Sequence, residues 1–331
     1  MPRGRAGQAW LCNLLLPLLL LVTLLGGAVL HRESQTSGPL SRILNDLSRV
    51  ALVLSLALLM GLLGALRQAD ARVATVAWRL QTANVALCAK PVMLPGFSVE
   101  TLEQYAPSKR AEARTELGLG ELPQIGAVVP GSTADQAGLR TGDLLLAVDG
   151  VPTPRAISGD GGYERTAKVE AALAKALARP PVTLTLASRT ISFNGDRGCA
   201  SAVQLVPGGR LDAVADGQIV QVSGAMYDFI GNDSELAFII AHELAHNIVA
   251  EARRADKAAE QRKAELAADR AAIGMMVQAG YDVGAVVPFM ERLRRKNRLS
   301  WLDASHPSWT ARLAAARAAV AERPSIRNAS D

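Results

Sequence analysis

The N-terminal part of the chain contains two long stretches without a charged residue. Residues 9–30 form an apolar stretch of 22 residues, and residues 50–66 form a second one of 17. A helix needs about 20 mostly apolar residues to cross a bilayer, so the first stretch can span and the second is at the lower limit. The second also fits the hydrophobic region of a signal peptide. The pattern predicts membrane targeting in preference to two buried core helices.

The charges near these stretches leave the membrane topology open. Arg3 and Arg5 precede the first stretch, which favours a cytoplasmic N-terminus. If both stretches span, the rest of the chain returns to the cytoplasm. If only one spans, or if the second is the export signal, the rest lies outside. Ala69-Asp70-Ala71 resembles a small-residue cleavage site after such a signal.

Short apolar runs bounded by turn residues predict a β-rich region between residues 123 and 188. Residues 125–129 and 144–148 are such runs, and each is followed by a Pro-Gly or an Asp-Gly pair. A helix is predicted over about residues 164–178, and the alternation at residues 182–186 predicts a last strand.

The rest of the chain is predicted to be mainly helical behind a small sheet. We expect a hairpin over residues 190–206, a strand over residues 219–222 and helices from about residue 226 onward. One helix begins near Asn232, with Glu235 three residues on as a capping-box partner, and continues through LAFIIAHELAHNIV. This helix is apolar on nearly all sides and is therefore buried, so its polar side chains need partners.

Composition narrows the functional classes. The net charge of +5 comes from 36 basic and 31 acidic residues, and the five Phe, four Trp and four Tyr do not interleave with basic clusters. We therefore expect no nucleic-acid partner. Cys12 lies in the first apolar stretch, which leaves Cys88 and Cys199 for the soluble body. They form either one bridge or two free thiols, and a bridge implies an oxidising compartment such as the periplasm.

The run HELAH carries the most specific chemistry. His242 and His246 are four residues apart, so they lie on one helix face about one turn apart and direct two ring nitrogens at one point. Glu243 is offset by about 100 degrees, which suits a contact with a metal-bound water better than with the metal. The spacing predicts a zinc site with Glu243 as the catalytic base.

A catalytic zinc needs a third protein ligand and an open fourth position. Nineteen residues after His246, a predicted helix carries Glu265 and Asp269 on one face. Glu265 is the predicted third ligand, and Asp269 is predicted to accept the ring N–H of a ligating histidine. Glu251 and Glu260 compete with Glu265 as the third ligand, although Glu251 is turned away on or just beyond the histidine helix.

Residues 125–150, IGAVVPGSTADQAGLRTGDLLLAVDG, resemble a PDZ domain of the kind found with bacterial proteases. This resemblance implies that a peptide strand adds to a sheet edge beside the domain's helix. Gly118 and Gly120 lie where a carboxylate-binding loop could sit, but their spacing departs from the common pattern. No peptide-binding residues are therefore assigned.

The C-terminal motifs together resemble the M48 family of membrane-associated zinc metallopeptidases. The resemblance covers about residues 211–312 and rests on ADGQIVQVSGAMYDFIGNDSELAFIIAHELAHN, on ELAADRAAIG and on a His-Pro pair followed by Arg312. It implies one zinc ion per chain, with His242, His246 and Glu265 as ligands, Glu243 as the base and Asp269 in support.

The same resemblance gives a role to His306 in the run SHPSWTAR. It implies that His306 lies close to the metal, where it contacts the zinc in a resting form or stabilises the transition state. The competing reading is an ordinary histidine ahead of Pro307 at the start of a helix.

We therefore expect an α+β chain in which a PDZ-like β-rich domain precedes a mainly helical HExxH metallopeptidase domain with a small sheet. The predicted divisions are an N-terminal membrane or signal region (1–71), a lead-in segment (72–119), the PDZ-like domain (120–190) and the peptidase domain (191–325).

The predicted function is a membrane-associated, extracytoplasmic zinc metalloendopeptidase. It would hydrolyse envelope or misfolded polypeptides that its PDZ domain captures. The alternative is a PDZ-led adaptor or a chaperone-like protein whose zinc site is structural.

Overall fold

The computed structural model describes residues 62–156, 162–249, 253, 257–296 and 307–322. Its helices and small sheets confirm the predicted mixture of helix and sheet. The α-helices are α1 (Leu62–Ala83), α2 (Arg110–Leu117), α3 (Thr133–Gln136), α4 (Glu164–Leu177), α5 (Gly224–Phe229), α6 (Asp233–Ile248), α7 (Ala258–Gln278), α8 (Val286–Lys296) and α9 (Trp309–Ala321). Short 3-10 helices are Val85–Leu87, Leu102–Gln104, Pro107–Lys109 and Val283–Ala285.

The strands form several small sheets instead of one large one. They are β1 (Pro91–Leu94), β2 (Phe97–Glu100), β3 (Gln124–Val128), β4 (Leu145–Val148), β5 (Val151–Pro152), β6 (Val182–Leu186), β7 (Thr190–Phe193), β8 (Asp196–Cys199), β9 (Ala202–Val206), β10 (Ala213–Ala215) and β11 (Ile219–Ser223). The described sheets have the strand orders β5-β4-β6-β7, β2-β3, β1-β8 and β10-β11-β9. Among the described strands, only β9 and β11 pair in parallel.

Helix α1 contacts both halves of the molecule, the β-rich half that contains β2 to β7 and the C-terminal half that contains α6 and α7. Val73, Val76 and Leu80 repeat at helical spacing, and each is at most 1% exposed within the core built around α6 and α7. On its way α1 also contacts the β2-β3 pair, where Arg67 forms an ion pair with Glu100 (Nη2 to Oε2 2.5 Å). The segment expected to be a lead-in therefore contributes to the core of both halves.

The predicted apolar stretches are mostly outside the described residues. Residues 9–30 and 50–61 are not described, and α1 begins at Leu62, near the end of the second stretch. Among the helices that are described, none has the length and the apolar character needed to cross a bilayer.

The β-rich region predicted between residues 123 and 188 is present, and one strand from outside it joins in. Strands β3, β4 and β6 and helix α4 lie near their predicted positions. Strand β2, which lies ahead of the predicted region, pairs antiparallel with β3. Phe97 and Val99 of β2 pack with Val169 and Leu173 of α4 in the core of this region.

The hairpin predicted over residues 190–206 is wrong. Strand β7 pairs with β6, β8 pairs with β1, and β9 pairs with β11, so the three strands join three different sheets. Gly195 turns the chain with a φ of 73°, and a Cβ built there would lie 2.6 Å from Leu177 Cδ2. Asp196 then accepts hydrogen bonds from Trp78 Nε1 (3.2 Å) and Thr133 N (3.2 Å), which holds β8 between α1 and α3.

Of the two alternatives for the cysteines, the structure contains the bridge. Cys88, just after α1, and Cys199, at the end of β8, form a disulfide. Gln81 reinforces the same junction, because its Nε2 donates to Cys199 O (2.8 Å) and Ser201 O (2.7 Å). The bridge thus links α1 to the strand that leads into the C-terminal half.

Candidate metal centre

Helix α6 begins where the capping pattern predicts. Asn232 accepts a hydrogen bond from Glu235 N (3.0 Å) through its side chain, and Glu235 Oε2 accepts one from Gly231 N (2.8 Å). Arg292 of α8 pairs with both carboxylate oxygens of Glu235 (2.7 and 2.9 Å). The guanidinium lowers the pKa of this carboxyl group against the opposing effect of burial. The start of α6 is thus held by its own cap and by a neighbouring helix.

The two histidines of α6 converge on one carboxylate of α7. His242 Nε2 and His246 Nε2 are 3.3 Å apart. Glu265 places Oε2 3.5 Å from His242 Nε2 and Oε1 3.5 Å from His246 Nε2. All three residues are buried, and their ligand atoms lie within 4.8 Å of one another. The structure therefore brings together the three residues that spacing selected as ligands.

The spacing of these atoms fits a tetrahedral metal ion. Ligand atoms about 2.0–2.1 Å from a zinc ion at tetrahedral angles lie about 3.4 Å from one another. The two histidine nitrogens are 3.3 Å apart, and each lies 3.5 Å from a different oxygen of Glu265. Two imidazoles and one carboxylate form a donor set that zinc uses when a fourth position stays open for water or substrate. The residues present therefore fit the ion.

Asp269 orients the first histidine. Its Oδ1 lies 3.0 Å from His242 Nδ1, so the ring presents its other nitrogen, Nε2, to the ligand cluster. Asp269 is fully buried and also binds Arg312 of α9, which donates from Nε to Oδ2 (2.8 Å) and from Nη2 to Oδ1 (2.6 Å). A continuous chain of contacts therefore runs from Arg312 through Asp269 to His242.

The titration of this chain follows its contacts. Burial acts to lower the pKa of His242, but the hydrogen bonds to Asp269 and Glu265 outweigh it and raise the pKa to about 9. Burial acts to raise the pKa of Asp269, but the Arg312 guanidinium and the hydrogen bonds outweigh it and lower the pKa to about 2. A histidine that ligates a metal ion must be deprotonated at its ligating nitrogen, so metal binding at His242 should depend on pH.

Glu243 lies next to His242 on α6 and is 5% exposed. Burial acts to lower the pKa of the Arg312 guanidinium, but Asp269 outweighs it and raises the pKa, and the charges of Glu265 and Glu243 raise it further. The base predicted from the motif is thus a buried carboxylate on the helix that carries both histidines.

Of the two competing ligands, Glu260 does not join the cluster. Glu260 is exposed in the first turn of α7. Glu251 lies outside the described residues, as does His306, so the role expected of His306 stays a prediction. The described chain resumes at Pro307, and Ser308 caps α9 by accepting a hydrogen bond from Ala311 N (3.2 Å).

Sequence reasoning gave no role to Arg312, although it noticed this residue after the His-Pro pair. The structure shows that Arg312 supplies the counter-charge of a buried carboxylate and stacks near the Trp309 ring (5.4 Å to its centroid). The available signal was its position on a helix with apolar residues at Leu313, Ala316 and Ala319. An arginine that is largely removed from water beside such a buried face needs an acidic partner.

Comparison with known families yields two matches. Residues 124–187 match the PDZ domain, and residues 249–320 match peptidase family M48. The second match contains Glu265, Asp269 and Arg312 but begins after the HELAH run. The two histidines of this run nevertheless lie beside Glu265 of the matched region in the structure. No match was found among curated proteins.

Proposed function

We propose that this chain, which carries a PDZ domain and a peptidase family M48 domain, is a zinc-dependent metalloendopeptidase. One observation carries the proposal. The Nε2 atoms of His242 and His246 and the carboxylate of Glu265 lie 3.3–3.5 Å apart between α6 and α7. Glu243 follows His242 on α6. Burying three such polar side chains without a metal ion would cost free energy of folding.

The residues have distinct tasks in this proposal. A zinc ion held by His242, His246 and Glu265 supplies a Lewis acid that polarises a peptide carbonyl and acidifies water. Glu243 accepts a proton on its carboxylate from the attacking water and delivers it to the leaving amine nitrogen. Asp269 keeps the Nδ1 proton of His242 in place, so that Nε2 stays directed at the cluster.

The substrates we propose are polypeptides, and the support for this is the pairing of a PDZ domain with a peptidase domain. PDZ domains add a peptide as a strand to a sheet edge, a mode that suits an exposed end of a misfolded or envelope protein. For His306, which lies outside the described residues, we propose the role that the family resemblance implies, which is contact with the zinc in a resting form or stabilisation of the transition state.

We propose an extracytoplasmic, membrane-associated location for the catalytic half. The apolar stretches at residues 9–30 and 50–66 support membrane association. The disulfide between Cys88 and Cys199 supports an oxidising compartment. Alkylation of cells dissolved directly in denaturant, with and without reductant, tests this, because Cys88 and Cys199 of a cytoplasmic body would then react without reductant.

Glu243→Gln separates metal binding from catalysis. The variant should keep one zinc per chain, measured by metal analysis, and should lose cleavage of unfolded casein by at least about a hundredfold, as the loss of a general base predicts. Glu260→Gln, an exposed glutamate on α7, is the matched control and should change neither quantity.

Retained turnover in Glu243→Gln would refute the assigned base. The adaptor or chaperone-like alternative predicts a different result: zinc bound by the natural chain, but no cleavage of casein or of any unfolded polypeptide. Glu265→Ala adds a metal readout, since loss of a ligand should weaken zinc binding by more than about tenfold. Unchanged zinc stoichiometry in that variant would require another third ligand.

A further inference from the structure

Strand β2 forms the edge of the PDZ region beside α4. Within the described part of the chain it pairs only with β3. Ile125 of β3 uses its own N–H with Asp143 O (2.9 Å) and its C=O with Gly142 N (2.8 Å), on the side away from β2. Val99 lies opposite Ile125, so the two do not exchange hydrogen bonds, and Val99 directs its N–H and C=O toward the outer edge.

This outer edge is covered by a side chain of the same molecule. Gln104, which follows β2 in the 3-10 helix Leu102–Gln104, donates from Nε2 to Val99 O (3.5 Å) and to Thr166 Oγ1 of α4 (2.7 Å). Thr101 Oγ1 lies 2.9 Å from the same threonine oxygen. The side-chain amide of Gln104 therefore takes the position from which the main-chain N–H of an added peptide strand would donate.

The hydrogen bond from Gln104 to Val99 O of β2 is weak. Its distance to Val99 O is at the long limit for a hydrogen bond. Gln104 Oε1 is buried and has no hydrogen-bond partner among the described residues, so rotation into solvent would satisfy an atom that the closed form leaves bare. A peptide N–H would then replace the lost donor to Val99 O.

The neighbouring residue keeps the segment in place while Gln104 moves. Glu103 accepts hydrogen bonds from Arg165 Nε (2.8 Å) and Nη2 (2.5 Å), and both side chains are buried. Arg165 also donates from Nη1 to Glu121 O. Release of the Val99 carbonyl therefore requires Gln104 to rotate and to give up its hydrogen bond to Thr166 Oγ1 (2.7 Å), while the segment after β2 stays attached to α4.

We propose that Gln104 is an intramolecular competitor for peptide at the β2-α4 edge, so that the PDZ domain rests in a closed form. The occupant that displaces it is an extended polypeptide end that adds antiparallel to β2. This inference rests on the peptide-capture part of the proposed function. A closed form that holds about nine-tenths of the molecules would weaken apparent peptide affinity about tenfold.

The test measures binding without cleavage. The full chain in detergent, carrying Glu243→Gln so that peptides stay intact, is titrated against fluorescein-labelled decapeptides with randomised last four residues and a free carboxylate. Gln104→Ala should bind this pool about tenfold more tightly by fluorescence anisotropy. Gln104→Glu, which cannot donate to Val99 O, should show the same gain.

Gln124→Ala is the matched control. Gln124 is 2% exposed, as Gln104 is, and donates from Nε2 to Leu117 O (2.9 Å) away from the β2 edge. Its variant should bind like the parent. Equal or weaker binding by both Gln104 variants, including no binding by any form, would overturn the proposal. Zinc content and casein cleavage of the chain with Glu243 intact report the proposed function separately.

Discussion

Arg312 offers the most direct test of how the fold supports the candidate metal centre. Its guanidinium makes two hydrogen bonds to Asp269, which is fully buried and contacts His242. Arg312→Met keeps the length and apolar volume of the side chain but removes the charge. Asp269 would then be a buried carboxylate without its main counter-charge.

The structure sets the size of the expected effect. Removing one partner of a buried ion pair costs about 3–5 kcal/mol, and Asp269 is 0% exposed while the Arg312 side chain is 16% exposed. We expect the metal-free protein to lose about 3 kcal/mol of stability to urea, measured by far-UV circular dichroism. Zinc affinity should fall about 10–100-fold, because Asp269, which orients His242, loses the two hydrogen bonds that hold its carboxylate in place.

Arg317→Met is the matched control on the same helix. Arg317 pairs with Glu291 at the surface (2.6 Å), with side chains 56% and 36% exposed. An exposed pair of this kind contributes about 0–1 kcal/mol, so stability and zinc affinity should stay near those of the natural chain. Competition with a chromophoric zinc chelator measures the affinity. If Arg312→Met binds zinc as tightly as Arg317→Met, Arg312 does not position His242.

Two further predictions concern stability. Arg292 lowers the pKa of Glu235 below its usual 4.5, so their pair should stabilise the fold above about pH 4.5 and lose this effect as the pH falls further. Urea unfolding should therefore show Arg292→Met differing from the natural chain at pH 6 and less so at pH 3; a constant difference would contradict this. A Cβ at Gly126 would lie 2.5 Å from Glu100 Cγ, so Gly126→Ala should destabilise by about 1–3 kcal/mol. Gly120→Ala, which meets no atom within 4 Å, should not, and equal melting of the two would refute the crowding.

The ligand helices were predictable because their signals are local. The capping contact of Asn232 with Glu235 spans three residues, and the spacing of His242 and His246 spans one helical turn. Such patterns depend on helix geometry, which is the same in any fold. The strands of the PDZ region are also bounded by local turn residues and lie near their predicted positions.

The errors concern contacts between residues far apart in the chain. The predicted hairpin was wrong because β7, β8 and β9 pair with β6, β1 and β11, and not with one another. Turn residues show where a strand ends but do not specify its partner. The lead-in segment carried little pattern because its buried residues are divided among three hydrophobic clusters. None of these clusters can be recognised until the elements that complete it are in place.

The sequence was enough to predict that a buried helix carries two histidines and a glutamate at the spacing of a metal site, and that a second helix carries Glu265 and Asp269. The tertiary structure was needed to show that these helices bring the histidine nitrogens and the Glu265 carboxylate to 3.3–3.5 Å. It was also needed to show that Arg312 of the last described helix binds Asp269. Helical periodicity is set by backbone geometry over a few residues. The meeting of two helices depends on which apolar faces bury each other across the whole chain.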